Sequence, residues 1–465
     1  FGRGAAAFTK TIGRTYEANR LPKTMTYPGT TGTLNFTYDD NNQLKTYKIP
    51  GLAANNDTLI YQYRWNAIRE ITMPGNLMRT VTLDALQRPK RIEVKGYGST
   101  PGNNGVPVID HVYTYDEVSN IKTKTTLDGE YIYGYDNLDR LTDATPPLSL
   151  RQSASNPNGL PDEKYHYDGV HNRMSSQHQP GVWSYNDNNE LKSWGLGAEQ
   201  KAIEYDLNGS TIREETGTPV SATREYVYDA QDRMVEVKDN SVSVAKYAYD
   251  PMGRRVWRQA GSEITWFLYS DEGLIQELAS ANSEVRTYGW NPGGMSGIDM
   301  VWQKDANGVF LSNNDHLYTT DVLTNSSNGN KSWSGVRESF GKTTVLSGAA
   351  TTFLMRFPGQ WEDRVGVFSQ NWFREYLTQP ARFGEMDPIS LFGGLNLYNA
   401  VDSNYISFYD YMGLKKNCCD DCCKSVKPQL DAKYKGTKTQ VEGTVVCCKG
   451  KSHVCTYPSD DSYDG

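Results

Sequence analysis

The chain has 465 residues, more than one ordinary hydrophobic core serves, and a net charge of −7 that argues against a nucleic-acid-binding body. No apolar run approaches the roughly 18 residues needed to span a bilayer, and no signal peptide is visible. The sequence begins FGRGAAAFTK, without Met, as if cut from something longer. Tyr, at 31, outnumbers Phe (13) and Trp (10) together, which suits half-wet sheets in which the ring packs and the hydroxyl stays bonded.

Along the chain one pattern recurs: FTYDDNNQL at 36–44, VTLDALQRPKRI at 81–92, YTYDEVSNI at 113–121, YIYGYDNLDRLT at 131–142 and YHYDGVHNRM at 165–174. It continues as WSYNDNNEL at 183–191, IEYDLNGSTI at 203–212, YVYDAQDRMV at 226–235 and YAYDPMGRRV at 247–256. Each copy predicts a β-hairpin. The tyrosines alternate with residues of the opposite face, the Asp turns the corner by bonding amides ahead of it, and an apolar residue restarts a strand. Asp116 to Asp136 is 20 residues, Asp206 to Asp229 is 23 and Asp229 to Asp250 is 21, a period that marks a repeat architecture. A lone hairpin cannot bury its face, so neighbours must stack into a long, twisted, mostly antiparallel sheet.

Two stretches, KGYGSTPGNNGVPVID at 95–110 and TPPLSLRQSASNPNGLPDE at 145–163, read as exposed loops, since the repeat resumes beyond each. The six histidines (111, 166, 171, 178, 316 and 453) are scattered; His166 and His171 read as surface residues. The body shows no nucleotide-binding glycine motif and no Ser or Cys nucleophile, and no cofactor is expected for it.

All 7 Cys lie between Cys418 and Cys455, and the tail after residue 414 carries nine Lys, no Arg and seven acids. This shift marks a module boundary near residue 414. Cys418, Cys419, Cys422 and Cys423 form CC-x-x-CC, followed by Cys447, Cys448 and Cys455. Zinc binding, disulfides formed after secretion and free thiols are all open to this set. The tail of 51 residues, 415–465, has too little core to fold easily alone and shows no catalytic constellation.

The series of YD units resembles the Rhs proteins, that is, bacterial polymorphic toxins and Tc toxin C subunits. Residues 355–414, MRFPGQWEDRVGVFSQNWFREYLTQPARFGEMDPISLFGGLNLYNAVDSNYISFYDYMGL, resemble the Rhs-associated core, with its RFPGQ, YN-x-x-RYYDP-x-x-GRF, DPIGL-x-GG-x-NLY and closing DP-x-GL. DHLYTTDVLTNSSNG at 315–329 resembles the stretch that precedes such cores. The resemblance implies an all-β fold, with YD hairpins spiralling into a cocoon closed by the core as a plug. It divides the chain into a YD-repeat shell (1–314), a core with an autoprotease (315–414) and the start of a variable toxin region (415–465). It implies a shell, secreted or exported from a bacterium, that holds a C-terminal toxin and frees it by aspartic-type self-cleavage at Leu414–Lys415. Asp387, Asp410 and Arg374 occupy the positions for that chemistry, in which two carboxylates with split pKa values share the acid and base roles beside a guanidinium.

The partners implied are the chain's own toxin as cargo, an N-terminal shell or secretion-system component, and an immunity protein, with no nucleic acid for the shell. Three departures bear on the site: Tyr411 stands in place of Pro, Ser390 in place of Gly, and Leu377-Thr378-Gln379-Pro380-Ala381 in place of DP-x-x-G. Two rival readings are a cell-surface YD-repeat adhesion protein without cargo release, and a carbohydrate-processing β-enzyme with paired carboxylates in an open cleft.

Overall fold

A computed structural model describes residues 8–414 apart from Asn282 and Met295, together with the backbone of a hairpin pairing Glu442–Cys447 with Lys451–Thr456. Among the described residues the chain is strands, turns and short 3₁₀ segments, and no helix is long and apolar enough to cross a membrane.

Each YD unit is the expected hairpin, and its chemistry is the same from copy to copy. At residues 136–140 the amide of Asp136 donates to the carbonyl of Arg140 (3.0 Å), and the amide of Asp139 returns to the carbonyl of Asp136 (3.0 Å). The Asp136 carboxylate accepts from the amides of Leu138 (2.9 Å) and Arg140 (3.1 Å). Asp39, Asp84, Asp116, Asp168, Asp206, Asp229, Asp250 and Asp315 close their turns in the same way. The fourth residue of each turn is left-handed, hence Asn42, Asp139, Asn189 and Asp232, or Gly209 and Gly253.

The two tyrosines of Y-x-Y-D have different duties. The first is buried on the inner face, as at Tyr113, Tyr165, Tyr226 and Tyr247. The second donates its hydroxyl to a carbonyl at the start of the preceding hairpin's return strand: Tyr115 to Pro89 (2.6 Å), Tyr135 to Ile121 (2.9 Å), Tyr167 to Leu141 (2.8 Å) and Tyr249 to Met234 (2.7 Å). Where Arg follows the corner Asp by four, it bonds that Asp and lies over a tyrosine of a later unit. Arg88 covers Tyr115 at 4.1 Å, Arg140 covers Tyr167 at 4.9 Å and Arg233 covers Tyr249 at 5.1 Å. Each hairpin is therefore stitched to the next at its corner.

The hairpins stack strictly in sequence order into two antiparallel sheets, 14 strands from Gly13–Tyr16 to Arg173–Ser176 and 16 strands from Ser184–Tyr185 to Thr343–Val345. Of the stretch at 145–163, residues 146–162 form the loop, and the ladder resumes across it with Ala144 opposite Glu163 and Asp143 opposite Lys164. The last three strands of the second sheet, Thr320–Asn325, Lys331–Arg337 and Thr343–Val345, fall within the stretch that the resemblance gives to the core.

The expectation of a closed cocoon needs correcting for this chain: the ladders do not close, and the first sheet ends at Ser176 without pairing to the second. The early strands of the first sheet instead pack face to face on the late strands of the second. Tyr27 donates to the carbonyl of Tyr288 (2.7 Å), Trp302 donates its indole N–H to the Tyr47 hydroxyl (2.9 Å), and Leu34, Phe36, Leu59, Val94, Ile275, Phe310 and Leu323 fill the interface. Burial of these large side chains holds the two faces together.

A third sheet of four strands, Trp361–Asp363, Phe368–Asn371, Arg374–Leu377 and Arg382–Phe383, lies against both large ones. Tyr376, Phe383, Val401, Tyr405 and Phe408 pack on Leu141, Ala144 and Tyr165 of the first sheet. Phe368 and Leu377 pack on Tyr226, Val237 and Tyr247 of the second. Replacing Asp136 with Ala removes two charge-assisted amide bonds and the Arg140 partner, and is expected to cost about 1–3 kcal/mol. Chemical denaturation should show this, with Asp136→Asn retaining most of the stability because its side-chain oxygen can still accept.

Candidate functional site

The third sheet and the segment after it are seated on the row of YD corners. Asn404 donates to the carbonyl of Asp139 (2.9 Å) and to Asn120 Oδ1 (3.4 Å). Asn396 donates to the carbonyl of Val170 (2.9 Å) and to Asn172 Oδ1 (2.7 Å), and Tyr398 donates to the carbonyl of Gly209 (2.9 Å). Trp372 donates to the carbonyl of Met252 (3.1 Å). Asn120, Asn172 and Ser210 stand four after the corner Asp, the position that Arg88, Arg140, Arg233 and Arg254 hold in four other units. These exchanges are the sequence signal for the seat.

Seating brings together the three residues singled out from sequence. Arg374 opens its strand with its side chain 2 % exposed, and Asp387 and Asp410 are 5 % and 3 % exposed. Arg374 Nη2 lies 2.9 Å from Asp387 Oδ2 and 3.7 Å from Asp410 Oδ2, so one guanidinium serves both carboxylates. Its Nη1 donates to the carbonyl of Leu397 (2.8 Å) and its Nε to the carbonyl of Gly413, while the ring of Phe383 lies 3.7 Å beneath it.

Burial pushes the Asp387 carboxyl above the ordinary aspartate range, against the downward pull of Arg374 and of the Ile389 amide. Burial also lowers the Arg374 guanidinium from its usual value. The geometry is that of an ion pair and the burial favours the neutral acid.

Leu414 is at the same place. Its amide donates to Asp410 Oδ1 (3.0 Å). A Cβ on Gly393 would lie 2.9 Å from Asp387 Cγ, nearer still to its Oδ2, and 2.9 Å from the carbonyl oxygen of Leu414. The Asp387 carboxyl and that carbonyl thus share the space that Gly393 leaves bare.

Two of the departures from the pattern leave the backbone able to form this site. Ser390 and Ala381 stand where the pattern has Gly and hold left-handed conformations (φ 54° and 57°), at a cost of about 1 kcal/mol each. The Ser390 amide still closes the turn on the Asp387 carbonyl (2.8 Å). The backbone of Tyr411, in place of Pro, passes over Gly359, where a Cβ would lie 2.6 Å from its carbonyl carbon.

Sequence reasoning missed a buried acidic pair beside Arg374. Glu385 accepts from the Glu375 amide (2.8 Å) and the Tyr228 hydroxyl (3.0 Å), and Glu375 accepts from Arg255. Burial drives both carboxyls upward, and for Glu375 it prevails over Arg255. No sequence pattern marks these two acids, one in the strand Arg374–Leu377 and one just after the strand Arg382–Phe383, and they gain meaning only from burial. Among the described residues no group of three or more His, Cys, Asp or Glu is arranged to hold a metal. Lys415, Cys418, Cys419, Cys422, Cys423, Cys448 and the side chains of Cys447 and Cys455 lie outside the described residues.

Two open antiparallel sheets built from Tyr-corner hairpins, with a small sheet seated on the corners, define a YD-repeat shell. A family profile described as the teneurin YD-shell matches residues 114–287. Over 357 residues the chain is 26% identical to double-stranded DNA deaminase toxin A of Burkholderia cenocepacia (strain H111), covering 70% of this chain and 24% of that protein. In fold it is similar to the Tc holotoxin pore of Photorhabdus luminescens (TM-score 0.59, 14% identity, 88% of this chain and 21% of that one). It is also similar to the TcdB2-TccC3 crystal structure (TM-score 0.56, 15% identity, 88% and 22%), and to TcdB2-TccC3 without the hypervariable C-terminal region (TM-score 0.52, 15% identity, 88% and 22%). Together the profile, this relative and these structures support an Rhs/YD-repeat shell family for the chain, which spans about a quarter or less of the length of these relatives.

The raised Glu375 carboxyl has a consequence for stability. Because its folded pKa lies above its unfolded one, the native state holds the proton longer, so stability is fullest at low pH and is lost as pH rises from the ordinary glutamate range towards the folded pKa. Glu375→Gln retains an oxygen for Arg255. Its denaturation midpoint should decline less steeply over that range than that of wild type.

Proposed function

We propose that this chain is the C-terminal part of a toxin-delivery shell that cuts itself between Leu414 and Lys415 and so frees the segment that follows. The observation that carries the reading is the meeting of the Leu414 carbonyl with Asp387 at Gly393, beside an Arg374 shared with Asp410. In this reading water adds to the Leu414 carbonyl carbon. Ionised Asp410 takes the water proton, and protonated Asp387 hydrogen-bonds the carbonyl oxygen as charge builds there. The C–N bond then breaks, the hydroxyl stays on Leu414 and a proton passes to the Lys415 nitrogen. Arg374, placed beside both carboxyls, balances the developing oxyanion. A tethered substrate needs only proximity for one turnover, and the hydrogen bonds to Asp410 and Gly413 supply it.

The supporting context is the family. Relatives of this fold include a protein named as a toxin and Tc toxin assemblies, and one of those structures is described as lacking a hypervariable C-terminal region. The shift in composition after residue 414 fits a change of module there. We take the cargo to be the chain's own C-terminal region, held by a shell that other parts of a longer protein complete, and the route to be secretion from a bacterium. The tail cysteines fit zinc or disulfides equally well.

The test is the denatured intact mass of the purified full chain beside Asp387→Asn and Asp410→Asn. Wild type should split between Leu414 and Lys415, and each variant should be slower by roughly 10²–10⁴-fold. A wild type that stays whole removes the release reading and leaves the display of a surface as the better account. When cleavage is started by refolding at a series of pH values, the rate should fall on the alkaline side as Asp387, with its raised pKa, loses its proton.

A further inference from the structure

We infer that Gly393 is a positioning residue for the cut, because its missing side chain is the space in which acid and scissile carbonyl meet. The inference rests on the self-cleavage reading and goes beyond it by naming what brings the two reacting groups together.

Glycine is usually required for a backbone conformation that other residues avoid. Gly393 is not such a case: its φ of −79° and ψ of −22° are ordinary right-handed values open to any residue. Its neighbour Gly394 is the reverse, with φ at 146° and nothing within 4 Å of where a Cβ would stand. The pair separates two reasons for glycine. Gly394 is needed for backbone shape, and Gly393 is needed for room.

The room is specific. A methyl on Gly393 would press on the Asp387 carboxyl and, at 2.9 Å, on the Leu414 carbonyl oxygen. Neither group yields easily. The carboxyl is short, buried, and held by Arg374 Nη2 at 2.9 Å and the Ile389 amide at 3.0 Å. The carbonyl follows directly on a peptide group held at both its ends: the Leu414 amide bonds Asp410 and the Gly413 carbonyl accepts from Arg374. A shift of about 1 Å between reacting groups can cost on the order of 100-fold in rate. The methyl would therefore block the cut while leaving Arg374, Asp387 and Asp410 all present.

Gly393 is itself placed by the Asp387 turn. The Ser390 amide bonds the Asp387 carbonyl (2.8 Å) and the Gly393 amide bonds the Ser390 carbonyl (3.0 Å). The residue that supplies the acid thus also begins the short chain that lays a bare Cα beside it.

The experiment follows cleavage of the full chain by intact mass after refolding from denaturant, for wild type, Gly393→Ala and Gly394→Ala, with the thermal midpoint of each. The inference expects Gly393→Ala to be slower by at least about 100-fold and Gly394→Ala to cut as wild type does even where it melts lower. A folded Gly393→Ala that cuts at the wild-type rate overturns the inference and leaves self-cleavage standing, whereas a wild type that stays whole overturns both. Should Gly393→Ala melt far below wild type, adding it to Asp387→Ala decides the matter. A smaller loss of midpoint in that background supports the clash with the Asp387 carboxyl, and an equal loss places the damage elsewhere and overturns the inference.

Discussion

Everything in this molecule depends on the corner of the YD hairpin. A strand of six or seven residues has one face to bury and two edges to pair, and a slip of one residue would turn its buried face to water. The corner prevents the slip twice. The Asp carboxylate fixes the length of the turn by accepting from the amides two and four residues on, and the second tyrosine fixes the neighbouring hairpin by donating to a carbonyl at the foot of its return strand. Because the turn recurs at every corner and the tyrosine bond at many of them, and both act between neighbouring hairpins, the ladder can grow in sequence order with no crossover.

The corners do more than hold the wall. Their carbonyls and side chains point along one rim, and that rim is where the third sheet and its following segment sit. Four units place Arg four after the Asp (Arg88, Arg140, Arg233 and Arg254), and it covers a tyrosine of a later unit. Asn120 and Asn172 give up that contact and receive Asn404 and Asn396 instead. At these two corners the residue four after the Asp thus supplies an acceptor to the seated segment, while other corners offer it backbone carbonyls.

The parts of this fold that were legible in the sequence are the ones whose causes lie close together in the chain. Tyr133, Tyr135 and Asp136 declare a hairpin because alternation and turn chemistry act over a few residues. The meeting of the two sheets was not legible, since Tyr27 with Tyr288 and Tyr47 with Trp302 join positions more than 250 residues apart. Arg374, Asp387 and Asp410 could be picked out by resemblance, yet no spacing says that a guanidinium will stand between two carboxylates. Gly393 was harder still. Its meaning lies in where the carbonyl of Leu414 comes to rest, which is set by Asp410 and Arg374 and so by the whole seat.

This dependence orders the events of the proposed reaction. Arg374 is held in a strand whose next residue, Glu375, is paired with Arg255 of the second sheet. Trp372 is tied to the corner at Met252, and Asn396 and Asn404 to the corners at Val170 and Asp139. An unfinished wall therefore lacks the partners that bring Arg374, Asp387 and Asp410 to one point. Leu414 meets Asp387 only when hairpins from both sheets are in place, because the segment that carries each is pinned to them. On the proposed reading the cut then follows the building of the wall, and the segment beyond Leu414 is detached only from a chain that has already folded around the site.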